Sequence, residues 1–407
     1  MIILYNLAIV LYAAFAKMAA PFNPKARKWV EGRKKWEAIL KQKITSGEKY
    51  VWIHCASLGE FEQGRPVIEA LKIEKPQYKI LLTFFSPSGY EIRKNYGKAD
   101  VICYLPLDTP ANAAQFISLV NPVYAIFVKY EFWHNFIAEL YRKQIPLYLI
   151  SGIFRKDQHF FKWHGNFFYR MLEKFTWIFV QDKGSEDLLK KNGLNNVSVA
   201  GDTRFDRVKM IAGNAGEIWQ IRNFRGTEKL FIAGSSWRQD EEIIAGYIDN
   251  HPSEMKWVFA PHEIDPDNID RIKNLLRVKS VRISEFSDAS ADARVLIIDN
   301  IGMLSAAYRY AYIAAIGGGF GKGIHNILEA ACWGVPVMFG PKYSKFREAV
   351  EMIELGSAKS FKNSEDFCNV IEEWLTDEKS YDKSAGSAAD YVLKNTGATD
   401  KIIGRLP

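Results

Sequence analysis

The sequence predicts two α/β domains, each a doubly wound parallel sheet, behind an apolar N-terminal helix. Three observations carry this. Short apolar runs alternate with helical patterns twice, over residues 50–200 and again over 230–339. The stretch 204–228 between the two series is polar and poorly patterned, which marks a junction. Residues 2–16 carry no charge. Strand and helix in alternation mean parallel pairing with both sheet faces covered. At 407 residues the chain is also too long for one ordinary core.

The apolar segment comes first. Fifteen helical residues reach about 23 Å, short of the roughly 30 Å hydrocarbon core. With Lys17 snorkelling, the segment through Phe22 approaches that thickness. Basic residues follow it, whereas a secretory signal has them in front. Nine Lys/Arg lie between Lys17 and Lys43 against Glu31 and Glu37, a balance of +7 that equals the whole net charge. Basic residues just inside an apolar run mark a membrane anchor with the bulk of the protein on the cytoplasmic side. A helix buried in the core is the other reading. The remaining charges balance, so the membrane surface, met through residues 1–43, is the expected charged partner and nucleic acid is not. The expected organisation is an anchor over 1–22, a basic juxtamembrane segment over 23–49, a first domain over 50–205 and a second over 206–407. The last helix is free to return to the first domain.

In the first series, strands are expected at 51–54, 79–84, 101–105, 124–128, 147–150, 177–180 and 197–200. In the second they fall at 230–233, 257–260, 295–298, 312–316 and 335–339. Each is a short, mostly apolar run bounded by turn residues. Ligands of such sheets bind at the carboxyl ends of strands, near the switch point. Seven polar motifs stand there, beginning at His54, Ser86, Lys129, Ser151, Gly201, Gly234 and Pro261. Seven converging loops are hard to explain as solubility.

The stretch from Ala314 to Pro341 is the most informative. Its glycines at 317, 318, 319, 321 and 323 remove side chains, as a backbone approaching a ligand requires. His325 and Asn326 are expected to open a helix whose N–H groups suit a phosphate. Glu329 follows one turn on, where a carboxylate suits ribose hydroxyls. A phosphate-binding P-loop needs Ser/Thr after Gly321-Lys322, and Gly323 stands there; the dinucleotide fingerprint from Gly319 ends on Ile324 rather than glycine. A plain tight turn is the competing explanation. Cys55, Cys103, Cys332 and Cys368 are scattered, with no disulfide framework or zinc spacing. His159 and His164 stand in an aromatic and basic run, 153–164, that suits either a lipid-facing surface or an amphipathic helix on the sheet.

Taken in order, the motifs resemble a known family. Ser57-x-Gly59-Glu60, Thr83-x-x-Ser86-x-Ser88-Gly89, Tyr130-Glu131-x-Trp133, Gly201-Asp202-x-Arg204-Phe205-Asp206, Gly234-Ser235, Pro261-His262 and His325-Asn326-x-x-Glu329 occur as in the 3-deoxy-D-manno-octulosonate (Kdo) transferases of Gram-negative bacteria. The resemblance covers nearly the whole chain, apolar N-terminal segment included. It implies a GT-B fold, two Rossmann-like halves facing a cleft. It also implies inverting transfer of Kdo from CMP-Kdo to a lipid A precursor (lipid IVA) at the cytoplasmic face of the inner membrane, with no metal or other cofactor. Carried over by position, Glu60 matches the general base, and Glu131 and Arg204 match groups that stabilise the transition state. Pro261 and His262, then Ile301, Gly302 and Met303, then Asn326, Ile327, Leu328 and Glu329, match the CMP-binding segments. Gly318, Gly319, Ser57, Gly59 and Ser235 are further candidates. Met303 stands where many members carry an acidic residue, and Ala330 replaces a proline.

The chemistry fits these roles independently. A base must take the proton from the acceptor hydroxyl, and a carboxylate after a strand can do so. Departing CMP carries negative charge, which fixed donors such as Arg204, His262 and the 317–325 loop stabilise. Two residues have structural alternatives. Ser57-x-x-Glu60 also reads as a capping box, and Glu131 as a buried partner for an arginine. A UDP-sugar glycosyltransferase or epimerase of similar architecture, or an inactive nucleotide- or lipid-binding relative, remain the other readings.

Overall fold

The structure, a computed structural model, describes residues 1–251, 255–290 and 292–407. The chain forms two compact units, one of Met1–Arg207 with Gly397–Pro407 and one of Val208–Thr396.

The sheet of the first unit has seven strands: β1 (Tyr50–Cys55), β2 (Lys79–Phe84), β3 (Val101–Tyr104), β4 (Tyr124–Val128), β5 (Leu147–Gly152), β6 (Trp177–Val180) and β7 (Val197–Val199). They lie in the order β3-β2-β1-β4-β5-β6-β7, all parallel. Both faces are covered, so β1, β4 and β5 are buried along their whole length. Side chains alternate between two cores. Trp52 packs on one face with Phe116, Phe127 and Phe136, while Val51 and Ile53 point to the other with Phe61 and Ile68. The order reverses between β1 and β4, which places the switch point there.

The C-terminal helix Ala398–Ile403 belongs to this unit, where Ala398, Ile402, Ile403 and Leu406 join the second core. The Asp206 carboxylate anchors it by accepting from Gly397 N (2.5 Å), Thr399 N (2.6 Å) and the Thr399 hydroxyl (2.7 Å).

The second unit repeats the plan with β8 (Leu230–Ser236), β9 (Lys256–Pro261), β10 (Ser280–Arg282), β11 (Val295–Ile297), β12 (Ile313–Ile316), β13 (Val337–Phe339) and β14 (Ala358–Ser360). The order is β10-β11-β9-β8-β12-β13-β14, again parallel, and it reverses between β8 and β12. All twelve expected strands are present. β10 and β14 were not expected; each has three residues, ends its sheet and carries a charged side chain.

The apolar segment forms the helix Ile2–Ala19, the one described helix long and apolar enough to cross a membrane. None of its residues is buried, so it is not a core helix. One face nonetheless docks on the first unit: the Tyr5 hydroxyl donates to Asp108 Oδ2 (2.5 Å) and Asn135 Nδ2 donates to Asn6 Oδ1 (2.9 Å). Tyr12 meets the rings of Trp29 and Phe85. The opposite face leaves Ile3, Leu4, Leu7, Phe15 and Met18 exposed.

Residues 153–164 are not an amphipathic helix. They form a loop with one 3-10 turn, His159–Phe161, because three aromatic rings turn inward together. Phe154 is buried, Phe160 and Phe161 pack against the same core, and Trp163 is 94% exposed beside exposed Arg155, Lys156 and Lys162.

Candidate active site

In the first unit the predicted residues occupy the carboxyl edge of the sheet. Glu60 follows β1 on the first turn of the helix Leu58–Glu74, which Ser57 caps by accepting from Gly59 N (3.3 Å). The Ser57 hydroxyl in turn donates to Glu60 Oε2. This is not a capping box, whose carboxylate would take the backbone N–H of the cap. Among the described residues no cation pairs with Glu60, so its charge is not committed to an ion pair. Glu131 follows β4, the neighbour of β1 across the switch point. Burial pushes the Cys55 thiol at the end of β1 far up, and the Glu60 and Glu131 charges add to the rise.

The alternative reading, an arginine partner for Glu131, does not hold among the described residues. Glu131 Oε2 accepts from Trp133 Nε1 (2.7 Å) and meets His54 Nε2 at 3.0 Å. Two features of the backbone aim this loop. Lys129 is left-handed (φ +65°), turning the chain sharply after β4. The helix His134–Arg142 then starts on a buried anchor, because Asp108 accepts from Asn135 N (3.1 Å) and Phe136 N (3.0 Å).

Arg204 lies on the first turn of the helix Thr203–Asn214, after β7. Its guanidinium reaches Asp202 Oδ2, with Nη2 at 2.7 Å and Nε at 2.9 Å. Thr203 fixes that turn by donating to Gln63 O (2.5 Å) and meeting the Ser151 hydroxyl at 3.4 Å.

The second unit gathers its candidates at its own switch point. Ser235, left-handed at φ +49°, turns the end of β8. His262 follows β9, and its N–H donates to Ser236 O (3.0 Å). Three rings then stack: His262 lies 4.6 Å from both Trp237 and His325, at 23° and 26°. Trp237 Nε1 donates to His325 Nε2 (3.0 Å), which puts the ring proton of neutral His325 on Nδ1. Burial first, then the nearby His262, lowers the His325 pKa to about 4, so the ring is uncharged at pH 7.

The glycine loop differs from expectation. Its helix opens at Leu328, not at His325, and spans only Leu328–Ala331. Most of the N–H groups expected to meet a phosphate are already used: Gly318 N donates to Asp240 Oδ2, Gly321 N and Gly323 N to Gly318 O, and His325 N to Gly317 O. The glycines serve close packing of chains. A Cβ on Gly317 would lie 2.2 Å from Ser235 O, and one on Gly319 would lie 2.6 Å from the Gly340 backbone.

The remaining two segments do come together. Glu329 Oε1 accepts from Asn326 Nδ2 (3.1 Å), while Oε2 accepts from the Ser305 hydroxyl. Ser305 stands two residues beyond Met303, the N-cap of the helix Leu304–Ala307, so Glu329 bridges the 301–303 and 326–329 segments. Ile301 and Gly302 are exposed, Met303 and Asn326 are half-buried, and Ile327 and Leu328 are buried anchors.

Asp240 and Ser305 were not singled out from the sequence, and His54 only as the start of a polar motif. Asp240 holds the glycine loop from the helix Arg238–Asn250, accepting from Gly318 N (3.1 Å) and Trp237 N (3.0 Å) through one oxygen. Burial raises its pKa from the usual 3.8 to about 6, against the pull of those two donors. The folded state therefore binds this proton more tightly than the unfolded one. The stability it contributes is full below pH about 4 and lost as pH rises through about 6. Asp240→Asn keeps an acceptor without the charge. It is expected to be more stable than wild type by about 2–3 kcal/mol at pH 7.5 and equal to it near pH 4, as read from urea unfolding at both pH values. Among the described residues no three His, Cys, Asp or Glu side chains gather as a metal group.

Known proteins similar to this chain point the same way. The sequence model described as 3-deoxy-D-manno-octulosonic-acid transferase (kdotransferase) matches residues 31–207. The 3-deoxy-D-manno-octulosonic acid transferase of Aquifex aeolicus is 28% identical over 346 residues, 83% of this chain and 90% of that protein. The corresponding enzyme of Haemophilus influenzae is 24% identical over 374 residues, 88% of this chain and 86% of its own. The first unit thus matches the Kdo transferase model over most of its length, and the chain as a whole is similar to Kdo transferases. The matched Kdo transferase region contains Glu60, Glu131 and Arg204, as well as His54 and Thr83. In fold the chain is similar to the UDP-GlcNAc 2-epimerase of Neisseria meningitidis, with a TM-score of 0.63 at 16% identity over 88% of this chain and 98% of that one. Two parallel-sheet domains of the GT-B type are common to both.

Proposed function

We propose that this chain transfers Kdo from CMP-Kdo to a lipid A precursor, lipid IVA, with inversion at the anomeric carbon. Glu60 takes the proton from the acceptor hydroxyl as its oxygen bonds to that carbon and the bond to the CMP phosphate breaks. Glu131 and Arg204 stabilise the charge that develops in between. The second unit holds CMP through Pro261, His262, the 301–303 loop and Asn326–Glu329, without a metal. The exposed face of Ile2–Ala19 and the basic segment after it keep the enzyme at the cytoplasmic face of the membrane that carries the lipid.

One observation carries the reading. The Kdo transferase match spans the residues that put Glu60 at the switch point, held by a neutral hydroxyl and without a cationic partner among the described residues. A base must not be tied up in an ion pair, and Glu60 meets that condition among the described residues. Nucleotide preference separates this from a UDP-sugar enzyme, the reading that the epimerase-like fold raises. Titration calorimetry is expected to show CMP binding at least about tenfold more tightly than UDP, about 1.4 kcal/mol. Equal or tighter binding of UDP would favour the second reading.

A further inference from the structure

We propose that His54 is a positioning residue of the active site: it donates from Nε2 to fix Glu131 and leaves the other carboxylate oxygen for the substrate. The inference rests on the reading of Glu131 given above. His54 stands in a strand whose other members are Tyr50, Val51, Trp52, Ile53 and Cys55, and its side chain is wholly buried. A polar ring in such a strand costs desolvation unless both nitrogens are satisfied. Here both are, and the distances favour one arrangement.

Trp52 Nε1 can only donate, and it does so to Thr83 Oγ1 (2.8 Å). The Thr83 hydroxyl still has its own proton to place. Of its two acceptors, His54 Nδ1 at 2.8 Å is much nearer than Ile53 O at 3.5 Å, so we assign the proton to Nδ1. Nδ1 is therefore the acceptor of the ring, and the ring proton sits on Nε2. That nitrogen lies 3.0 Å from Glu131 Oε2 and donates to it. Trp133 Nε1 lies 2.7 Å from the same oxygen and 3.1 Å from His54 Nε2. Since Nε2 carries a proton, the indole also donates to the carboxylate. Oε2 thus takes two donors, and Oε1 takes neither.

Two donors on one oxygen immobilise a side chain with three torsions. The relay runs from Trp52 through Thr83 and His54 to Glu131, crossing β1, β2 and the loop after β4. The ring would then act on the reaction only through Glu131.

The test uses the full-length chain. His54→Gln keeps an amide N–H near the Nε2 position, His54→Leu removes it, and Glu131→Gln supplies the reference. His54→Leu is expected to lower kcat by about 100-fold with the KM for CMP-Kdo changed by less than about twofold. His54→Gln is expected to recover kcat to within about tenfold of wild type. Added to Glu131→Gln, His54→Leu should cost little more, since the two act as one unit. A folded His54→Leu with wild-type kcat, or losses that simply multiply in the double variant, would overturn the proposal. Should His54→Leu not fold, Thr83→Val carries the test. Without the hydroxyl the ring is free to hold its proton on Nδ1, and kcat should fall by about tenfold at constant KM; an unchanged kcat overturns the proposal. Undiminished transfer by Glu131→Gln would instead refute the role given to Glu131, and the proposal with it.

Discussion

Glu60→Gln is expected to lower kcat for Kdo transfer by about 10³-fold or more while leaving CMP affinity and the melting temperature near wild type. A positioned base contributes roughly 10²–10⁴-fold, and an amide cannot take the proton. The geometry isolates this effect. Glu60 accepts from the Ser57 hydroxyl, while the helix start is capped by Ser57 itself. The amide oxygen of Gln keeps that acceptor, so the helix Leu58–Glu74 has no reason to loosen. A variant that melts far lower yet turns over normally when folded would make Glu60 structural. Transfer measured alongside thermal unfolding distinguishes the two outcomes.

The second large effect concerns the nucleotide. Glu329→Ala removes the group that bridges Asn326 and Ser305, and with it the proposed acceptor for the ribose hydroxyls. Losing a hydrogen bond to a charged group costs roughly 1.5–3 kcal/mol, which is about a ten- to hundredfold weaker affinity for CMP. The contact is remote from the breaking bond, so the donor KM should rise more than kcat falls. Ser305 and Asn326 also lose their anchor, which adds to the loss of affinity. Calorimetry with CMP reads it directly. An affinity untouched by Glu329→Ala would remove Glu329 from the site.

Much of this architecture was legible because its signals are local. Buried parallel strands write themselves as short apolar runs, and β1, β4 and β5 are buried at every position. The loops that follow them carry polar motifs whose order resembles that of the Kdo transferases. β10 and β14 were missed because Ser-Val-Arg and Ala-Lys-Ser each set a charged side chain in three residues and leave no apolar run to read. β7, by contrast, has two valines in its three. The glycine loop failed for a different reason. Its letters suit free N–H groups, but Gly318 N is taken by Asp240, which lies 78 positions earlier in the chain. The same limit applies to Glu131. Its neighbours in sequence gave no sign that a histidine 77 positions away would hold it instead of an arginine. The helix Ile2–Ala19 was legible as apolar, yet the Tyr5 and Asn6 contacts that dock one face on the first unit depend on Asp108 and Asn135, residues far along the chain.

The central claim is the reaction itself. Membranes carrying the full-length chain, supplied with CMP-Kdo and lipid IVA, are to be extracted and the lipid weighed by mass spectrometry, with the Glu60→Gln protein in parallel. The account predicts lipid IVA heavier by one or more Kdo residues, matched by released CMP, and no such product from Glu60→Gln. Unmodified lipid IVA from a folded wild-type protein that binds CMP, or equal product from Glu60→Gln, would contradict it.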